Sequence, residues 1–253
     1  MEGVSYDLGF IDSNTVIADG ITQVYNYIHL YLVFLLFFLS IIGITILLRS
    51  YFFIKFLFNI KKFSISKYKY LYNFSIVKFT HNVIIEFVWT LIPGLILTII
   101  ALPSFILLYS MDEIIEPSMT LKIIGHQWYW EYEYNLYDYL YNEKINESFE
   151  SWIVQSDELE IGDLRLLETN ACPILPNKTH IRAIITSSDV LHAWALPAAG
   201  IKIDAVPGRL NQGLLYFYTL GINYGQCSEL CGLNHAFMPI KVVITSDFIN
   251  YSN

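Results

Sequence analysis

Two uncharged apolar runs constrain this chain more than any other feature. Residues 28–48 (IHLYLVFLLFFLSIIGITILL) contain one His and no formal charge, and residues 87–108 (FVWTLIPGLILTIIALPSFILL) carry no charge at all. A helix rising about 1.5 Å per residue crosses a hydrocarbon core of about 30 Å in some twenty residues, so each run is long enough to span a bilayer. Pro93 and Pro103 are compatible with this, because neighbouring groups in a membrane can re-satisfy the carbonyls that a proline frees. Buried helices of a large soluble protein are the alternative, and the length and lack of charge disfavour it. A cleavable signal peptide fits the first run poorly, since acids precede it and no basic segment does.

Charge is partitioned around these runs. Of the 253 residues, 1–48 hold no Lys or Arg, whereas 49–85 hold seven (Arg49, Lys55, Lys61, Lys62, Lys67, Lys69, Lys78) and no acid. Residues 109–253 carry eighteen acids against eight bases. The positive-inside rule puts the basic segment on the synthesis side and both termini across the membrane. Part of it, with the apolar stretch 51–58, can lie in the interface, or the first helix can be longer than its apolar run. The organisation expected is an outer segment over 1–27, helices over 28–48 and 86–110, a basic loop over 49–85 and a folded domain over 111–253. The acidic outer domain argues for a basic partner and against nucleic acid.

Beyond residue 111 short β-rich runs alternate with Gly, Pro, Asn and Asp turns. Strands are expected near 120–124, 128–134, 164–167, 180–186, 193–196, 214–218 and 239–245. Short strands with regular turns and no helical period point to an all-β sandwich or Greek-key barrel. Residues 137–160, acidic and unpatterned, read as an exposed loop. Cys172 stands alone and reads as a structural cysteine.

The densest chemistry lies in Cys227-Ser-Glu-Leu-Cys231-Gly-Leu-Asn-His235-Ala-Phe-Met238, with His192 upstream in Asp-Val-Leu-His-Ala-Trp. Soft sulfur plus imidazole is the ligand chemistry of copper. A disulfide would leave His235 and Met238 without a role. Zinc seldom uses Met, and a thioredoxin-type pair has two residues between its cysteines rather than three. One Cys, two His and a weak axial Met make a mononuclear copper site; a second Cys on the same loop lets two thiolates bridge two copper ions. A dinuclear centre is therefore preferred, with His192 and His235 as terminal ligands and Met238 and a backbone carbonyl as weak ones.

The same residues carry a resemblance. CSELCGLNHAFMPI with DVLHAW resembles the copper-A motif of the cytochrome c oxidase subunit II family. Gly125-His-Gln-Trp-Tyr-Trp-Glu-Tyr-Glu-Tyr134, Ala205-Val-Pro-Gly-Arg-Leu-Asn-Gln212, Glu86-Phe-Val-Trp-Thr-Leu-Ile-Pro93 and Ala101-Leu-Pro-Ser are similar to further stretches of that family. The resemblance implies a transmembrane helix hairpin followed by a cupredoxin-like Greek-key domain. It implies one copper held by His192, Cys227, Cys231 and Met238, and another by Cys227, Cys231, His235 and the carbonyl of Glu229. The Glu229 carboxylate would face a magnesium shared with subunit I. Trp128 would be the point of electron entry, with Gln127, Tyr129, Glu133 and Asp189 contacting cytochrome c, and Glu86 would stand at the mouth of a proton path.

The activity so implied is electron entry into a proton-translocating terminal oxidase, of which this chain is a subunit and not a catalyst alone. Its partners would be subunit I, other oxidase subunits, cytochrome c and membrane lipid. The expected location is the mitochondrial inner membrane, multi-pass, with the copper domain in the intermembrane space; the wealth of Phe, Tyr, Ile and Asn fits an AT-rich organellar genome. Rival readings are a copper-free quinol oxidase subunit II, a membrane-tethered copper-handling or thiol-redox protein, and the copper domain of a nitrous oxide reductase. The 49–85 and 137–160 segments look longer than the family pattern.

Overall fold

A computed structural model describes residues 9–60, 81–113, 116–138 and 143–246. The chain divides into two compact units, Val24–Pro103 and a second made of Met1–Gln23 with Ser104–Asn253.

Helix α1 spans Val16–Ile60 and α2 spans Val83–Asp112, and both are long and apolar enough to cross a membrane. Each begins on a side-chain cap. The Thr15 hydroxyl accepts from the Ala18 amide at 3.0 Å, and the Asn82 side-chain Oδ1 accepts from the amides of Ile84 and Ile85 at 3.0 and 3.1 Å. These bonds satisfy donors that a helix start leaves free. α1 outruns the apolar stretch at both ends, so residues 49–60, assigned to the loop by their charge, continue the helix. No proline interrupts residues 16–60, and a helix once formed propagates through tolerant residues regardless of their polarity. The remainder of the expected basic loop, 61–80, lies outside the described residues.

Ten strands follow among the described residues: β1 Met119–His126, β2 Tyr129–Asp138, β3 Glu143–Ser151, β4 Ile174–Pro176, β5 Ile181–Ser187, β6 His192–Leu196, β7 Ile201–Ala205, β8 Asn211–Leu215, β9 Gly221–Gln226 and β10 Pro239–Thr245. They form a five-stranded sheet in the order β3-β2-β1-β5-β8, a three-stranded sheet β4-β10-β9 and the pair β6-β7. β1 runs parallel to β5, and β10 parallel to β4; the other pairs are antiparallel. β1 and β5 alternate between buried and half-buried positions, the signature of a sheet with one face in the core. Leu121, Ile123, Trp130, Tyr132, Ile185, Trp194, Leu196, Ile240 and Val242 are fully buried and close the sandwich.

The expected strands over 120–124, 128–134, 180–186, 193–196 and 239–245 correspond to β1, β2, β5, β6 and β10, and 214–218 overlaps the end of β8. Two expectations fail. Residues 164–167 are a turn, in which the amides of Leu167 and Glu168 donate to the Leu164 carbonyl at 3.0 and 3.1 Å and Leu166 has a φ of 68°. Residues 143–151, read as part of a loop, form β3. Among the described residues this strand sits at the sheet edge and pairs with β2 alone, so its sequence carries a weak core pattern. β4, β7 and β9 also escaped the pattern, being short, charged or glycine-bearing.

Two long-range contacts assemble the site. Gly225 of β9 presses on β6, since a Cβ there would lie 2.0 Å from the Ala195 carbonyl oxygen. Just beyond, the Ser228 amide donates to the Ala193 carbonyl at 3.0 Å. At the other end of β6 the start of the chain is tied down. The Asn14 amide donates to the Ala198 carbonyl and the Thr15 hydroxyl to the Ala199 carbonyl, both at 2.7 Å.

Because Gly225 has no room for a methyl against backbone, Gly225→Ala is expected to destabilise the protein by about 1–3 kcal/mol, as overpacking does. The midpoint of denaturant unfolding measures this, and an unchanged midpoint would refute the tight β6–β9 contact.

Candidate metal centre

His192 opens β6 and is completely buried; Cys227 follows β9; Met238 precedes β10. Three strand ends therefore deliver the donors, and the intervening loop 227–238 returns on itself through a 3-10 turn at His235–Phe237. Gly232 within this loop has a φ of +125°, in the region that favours glycine.

The donors converge. The sulfurs of Cys227 and Cys231 are 3.9 Å apart, and both thiols are free. The Nδ1 of His192 is 3.9 Å from the Cys227 sulfur, and the Nδ1 of His235 is 3.5 Å from the Cys231 sulfur. The Met238 thioether lies 3.5 Å from the Cys231 sulfur, and the Glu229 carbonyl oxygen 3.3 Å from that of Cys227. His192, Cys227 and Cys231 offer ligand atoms all within 4.8 Å of one another, a set able to hold a metal ion. A sulfur-rich set with two imidazoles and a thioether suits copper in donor type, and the free thiols leave both sulfurs available.

The surroundings orient these groups. The Nε2 of His192 is 2.9 Å from Asp189 Oδ1, which leaves Nδ1 toward the thiols. Gly125 packs closely on the imidazole, because a Cβ there would meet the ring at 2.9 Å. The Trp130 indole N–H donates to the Met238 carbonyl at 3.4 Å from within the core. Burial opposes ionisation of Cys227, but the His192 imidazole and backbone groups of Ala193 and Glu229 outweigh it and bring the thiol down to about 7. Burial and the neighbouring Cys227 push Cys231 up to about 12. Burial also works against charge on His192, yet Cys227 and Asp189 raise its pKa above the ordinary value. Cys231 thus keeps its proton while Cys227 and His192 compete for another, and a metal ion held by both sulfurs would displace them.

The other residues expected at the site divide into groups. Trp128 and Gln127 form the turn between β1 and β2 and lie over the cysteine loop. The Gln127 side-chain amide donates to the Cys231 carbonyl at 2.9 Å, and a Cβ on Gly232 would lie 3.2 Å from the Trp128 ring. Tyr129 stacks between His126 and Trp152, with ring centroids 4.5 and 4.0 Å away. Glu133 is paired with Lys122 at 2.9 Å, and Glu229 is exposed. Glu86 lies in the first turn of α2, 2.8 Å from the His81 ring, in the other compact unit. Gly125, Trp130 and Gly225 were not singled out individually by sequence reasoning. Glycine beside the aromatic run was the available signal for the first two.

A chain with a membrane-spanning helix pair, a β-sandwich and a buried sulfur–imidazole cluster is a membrane-anchored protein of the cupredoxin-like class. The family model "Cytochrome C oxidase subunit II, transmembrane domain" matches residues 3–107, and "Cytochrome C oxidase subunit II, periplasmic domain" matches residues 119–245. Cytochrome c oxidase subunit 2 of Cyanidium caldarium is 45% identical over 97% of this chain and 89% of its own length. The protein described as mitochondrial cytochrome c oxidase subunit 2 of Vigna unguiculata is 45% identical over 96% of this chain and 60% of its own length. Among solved structures, the periplasmic domain of cytochrome oxidase subunit II from Bradyrhizobium japonicum is 39% identical, with a TM-score of 0.48 over 55% of this chain and 93% of that one. The chain belongs to the cytochrome c oxidase subunit II family, and so is a component of the haem–copper oxidase complex.

In the metal-free protein, the thiolate fraction of Cys227 is expected to rise as pH climbs through about 7, while Cys231 stays protonated. Alkylation mapped by mass spectrometry between about pH 6 and 9 should label Cys227 first. Equal labelling of both thiols would contradict the asymmetry.

Proposed function

We propose that this chain is the electron-entry subunit of a terminal respiratory oxidase. It receives electrons from cytochrome c and delivers them to haem in subunit I, where oxygen is reduced to water with proton translocation. The observation that carries the reading is the meeting of His192, Cys227, Cys231, His235 and Met238, with two unpaired thiols 3.9 Å apart. His192, Cys227, Cys231 and Met238 would hold one copper, and Cys227, Cys231, His235 and the Glu229 carbonyl the other. When bound, such a dinuclear centre would supply one exchangeable electron shared between its two metals.

The chain's own residues support a direction of flow. His192 is fully buried, whereas His235 is half-buried and flanked by exposed Leu233 and Phe237. Exposed apolar side chains beside a redox ligand form a patch that a partner subunit can cover, with His235 as the exit side. The exposed Glu229 carboxylate on the same loop is free to reach a magnesium shared with that partner. Trp128, packed on the loop at Gly232, has a buried indole N–H without a hydrogen-bond partner among the described residues. A docked cytochrome c would cover this edge, meeting Gln127, Tyr129, Glu133 and Asp189 and steered by the acids of the domain. Glu86, at the start of α2, is proposed as the mouth of a proton path into subunit I. The chain would be multi-pass in the mitochondrial inner membrane, with both termini and the β-domain in the intermembrane space.

In the purified oxidase, electron paramagnetic resonance should give a hyperfine pattern of one electron shared by two copper nuclei. A single-nucleus pattern, or no copper, would refute the reading and favour a copper-free quinol oxidase subunit. Trp128→Phe is expected to lower turnover with cytochrome c by on the order of tenfold to a hundredfold while leaving that spectrum unchanged; loss of copper would make Trp128 a core residue instead. Protease added on the side that digests the β-domain should leave 49–85 intact, and cleavage there would reverse the proposed orientation.

A further inference from the structure

The segment ahead of α1 is held to the β-domain by one residue above all. Asn14 is buried, and each of its four polar groups meets the domain. Its amide donates to the Ala198 carbonyl at 2.7 Å, and its carbonyl accepts from the Tyr218 amide at 3.2 Å. Its side-chain Oδ1 accepts from the Thr219 amide at 2.9 Å and from the Thr219 hydroxyl, and its Nδ2 donates to Asn223 Oδ1 at 3.2 Å. Asn14 thus joins the turn after β6, the connection from β8 to β9, and β9 itself. Its neighbours extend the junction. The Thr15 hydroxyl caps α1 and also donates to the Ala199 carbonyl, and the Tyr218 hydroxyl lies 2.8 Å from Asp19 Oδ2 and 3.0 Å from the Ser13 carbonyl.

The first turns of α1 carry the junction on to α2. A Cβ on Gly200, whose φ is +65°, would lie 2.8 Å from the Ala18 backbone, and a Cβ on Gly20 would lie 2.7 Å from the Leu107 side chain. Ala18 therefore packs on the domain and Gly20 on the end of α2, all within one compact unit. The chain also runs from α2 into the domain through residues 113–118, between Asp112 and Met119. A single covalent connection does not by itself fix the orientation of a folded domain. Holding the domain at a second point, on α1, removes most of that freedom.

We infer that Asn14 is a positioning residue, which sets the stance of the β-domain on the ends of α1 and α2 and so the alignment of the metal centre with the haem that receives its electron. This deepens the electron-entry reading and rests on it. The step concerned moves one electron out of the reduced centre, with no bond made or broken, and its rate falls steeply with the separation of donor and acceptor. Asn14 acts on the domain as a body and not on the ligand set. It grips β9 at Asn223 and the turn that follows β6, whereas Gly225 and Ala195, further along the same strands, hold the ends that deliver Cys227 and His192. Loss of the junction therefore tilts the domain and leaves the metal in place. Asparagine suits the position because its side chain accepts from Thr219 and donates to Asn223 at once, which neither a carboxylate nor an apolar side chain of that size can do.

Asn14→Ala in the purified oxidase complex tests this. It removes the acceptor of the Thr219 amide and leaves the buried Asn223 side chain without its bond to position 14. Hydrogen exchange at the Thr219 amide is expected to rise about fivefold to tenfold, the equivalent of one hydrogen bond, while the β1–β5 ladder stays as protected as before. The copper hyperfine pattern and KM for cytochrome c should not change. After rapid mixing with reduced cytochrome c, haem reduction in subunit I should slow by roughly tenfold, since misplacement by about 1 Å suffices for such a loss. Asn14→Ser, whose hydroxyl can keep one of the two side-chain bonds, should give intermediate values of both exchange and rate. It also supplies the measurement if the Ala variant does not assemble, because exchange that rises without a slower haem reduction in either variant refutes positioning. A Thr219 amide as protected as in the unaltered complex would refute the junction itself, and loss of copper would place the effect in the ligand set instead. If the unaltered complex shows no copper signal, the electron-entry reading fails, whereas Thr219 exchange still decides the junction.

Discussion

The site depends on one close approach of backbone to backbone. Gly225 of β9 presses against the Ala195 carbonyl of β6, and the Ser228 amide bonds to the Ala193 carbonyl immediately afterwards. These contacts carry Cys227 to within 3.9 Å of a histidine 35 residues earlier in the chain. Without them the cysteine loop would hold two thiols, one imidazole and one thioether, but not the buried imidazole that completes the set. The sandwich core beneath, with Trp130, Trp194 and Tyr132 fully buried, makes the approach rigid, because close-packed interiors do not relax far.

Around that contact the electrostatics are graded. Cys227, beside His192, is the more acidic thiol, and Cys231, charged only at the expense of its neighbour, is the more basic. Two like groups this close cannot both ionise cheaply in a buried site, so a divalent or monovalent soft cation is the natural counter-charge. The Asp189 carboxylate meets His192 at Nε2, while Nδ1 of the same ring faces the Cys227 sulfur. The half-exposed His235 and its apolar neighbours face outward, giving the cluster a buried side and a side open to a partner.

Much of the architecture was legible along the chain. Length and absence of charge are local properties, so the two spanning segments could be found without tertiary information, and so could strands such as β1, β5 and β10, whose side chains alternate between core and surface. The errors also have local causes. β3 is an edge strand with polar composition, and its pairing to β2 comes from the partner and not from its own pattern. Residues 164–167 read as a strand, but the amides of Leu167 and Glu168 bond to the Leu164 carbonyl and close them into a turn. α1 runs past its apolar stretch because helix continuation depends on the backbone, whereas span prediction weighs side-chain polarity.

The sequence by itself determined which chemistry was available: two thiols, two imidazoles and a thioether spaced for a shared soft metal, beyond two membrane helices. Those facts are carried by residue types and short spacings, which folding cannot alter. Only the tertiary structure decided which histidine nitrogen meets the sulfurs, that Asp189 meets the other, and that His192 is sealed while His235 is half-exposed. Each of these is set by contacts between strands far apart in the chain, where a glycine's missing Cβ or a single carboxylate contact selects one arrangement from many that the same residues could have made.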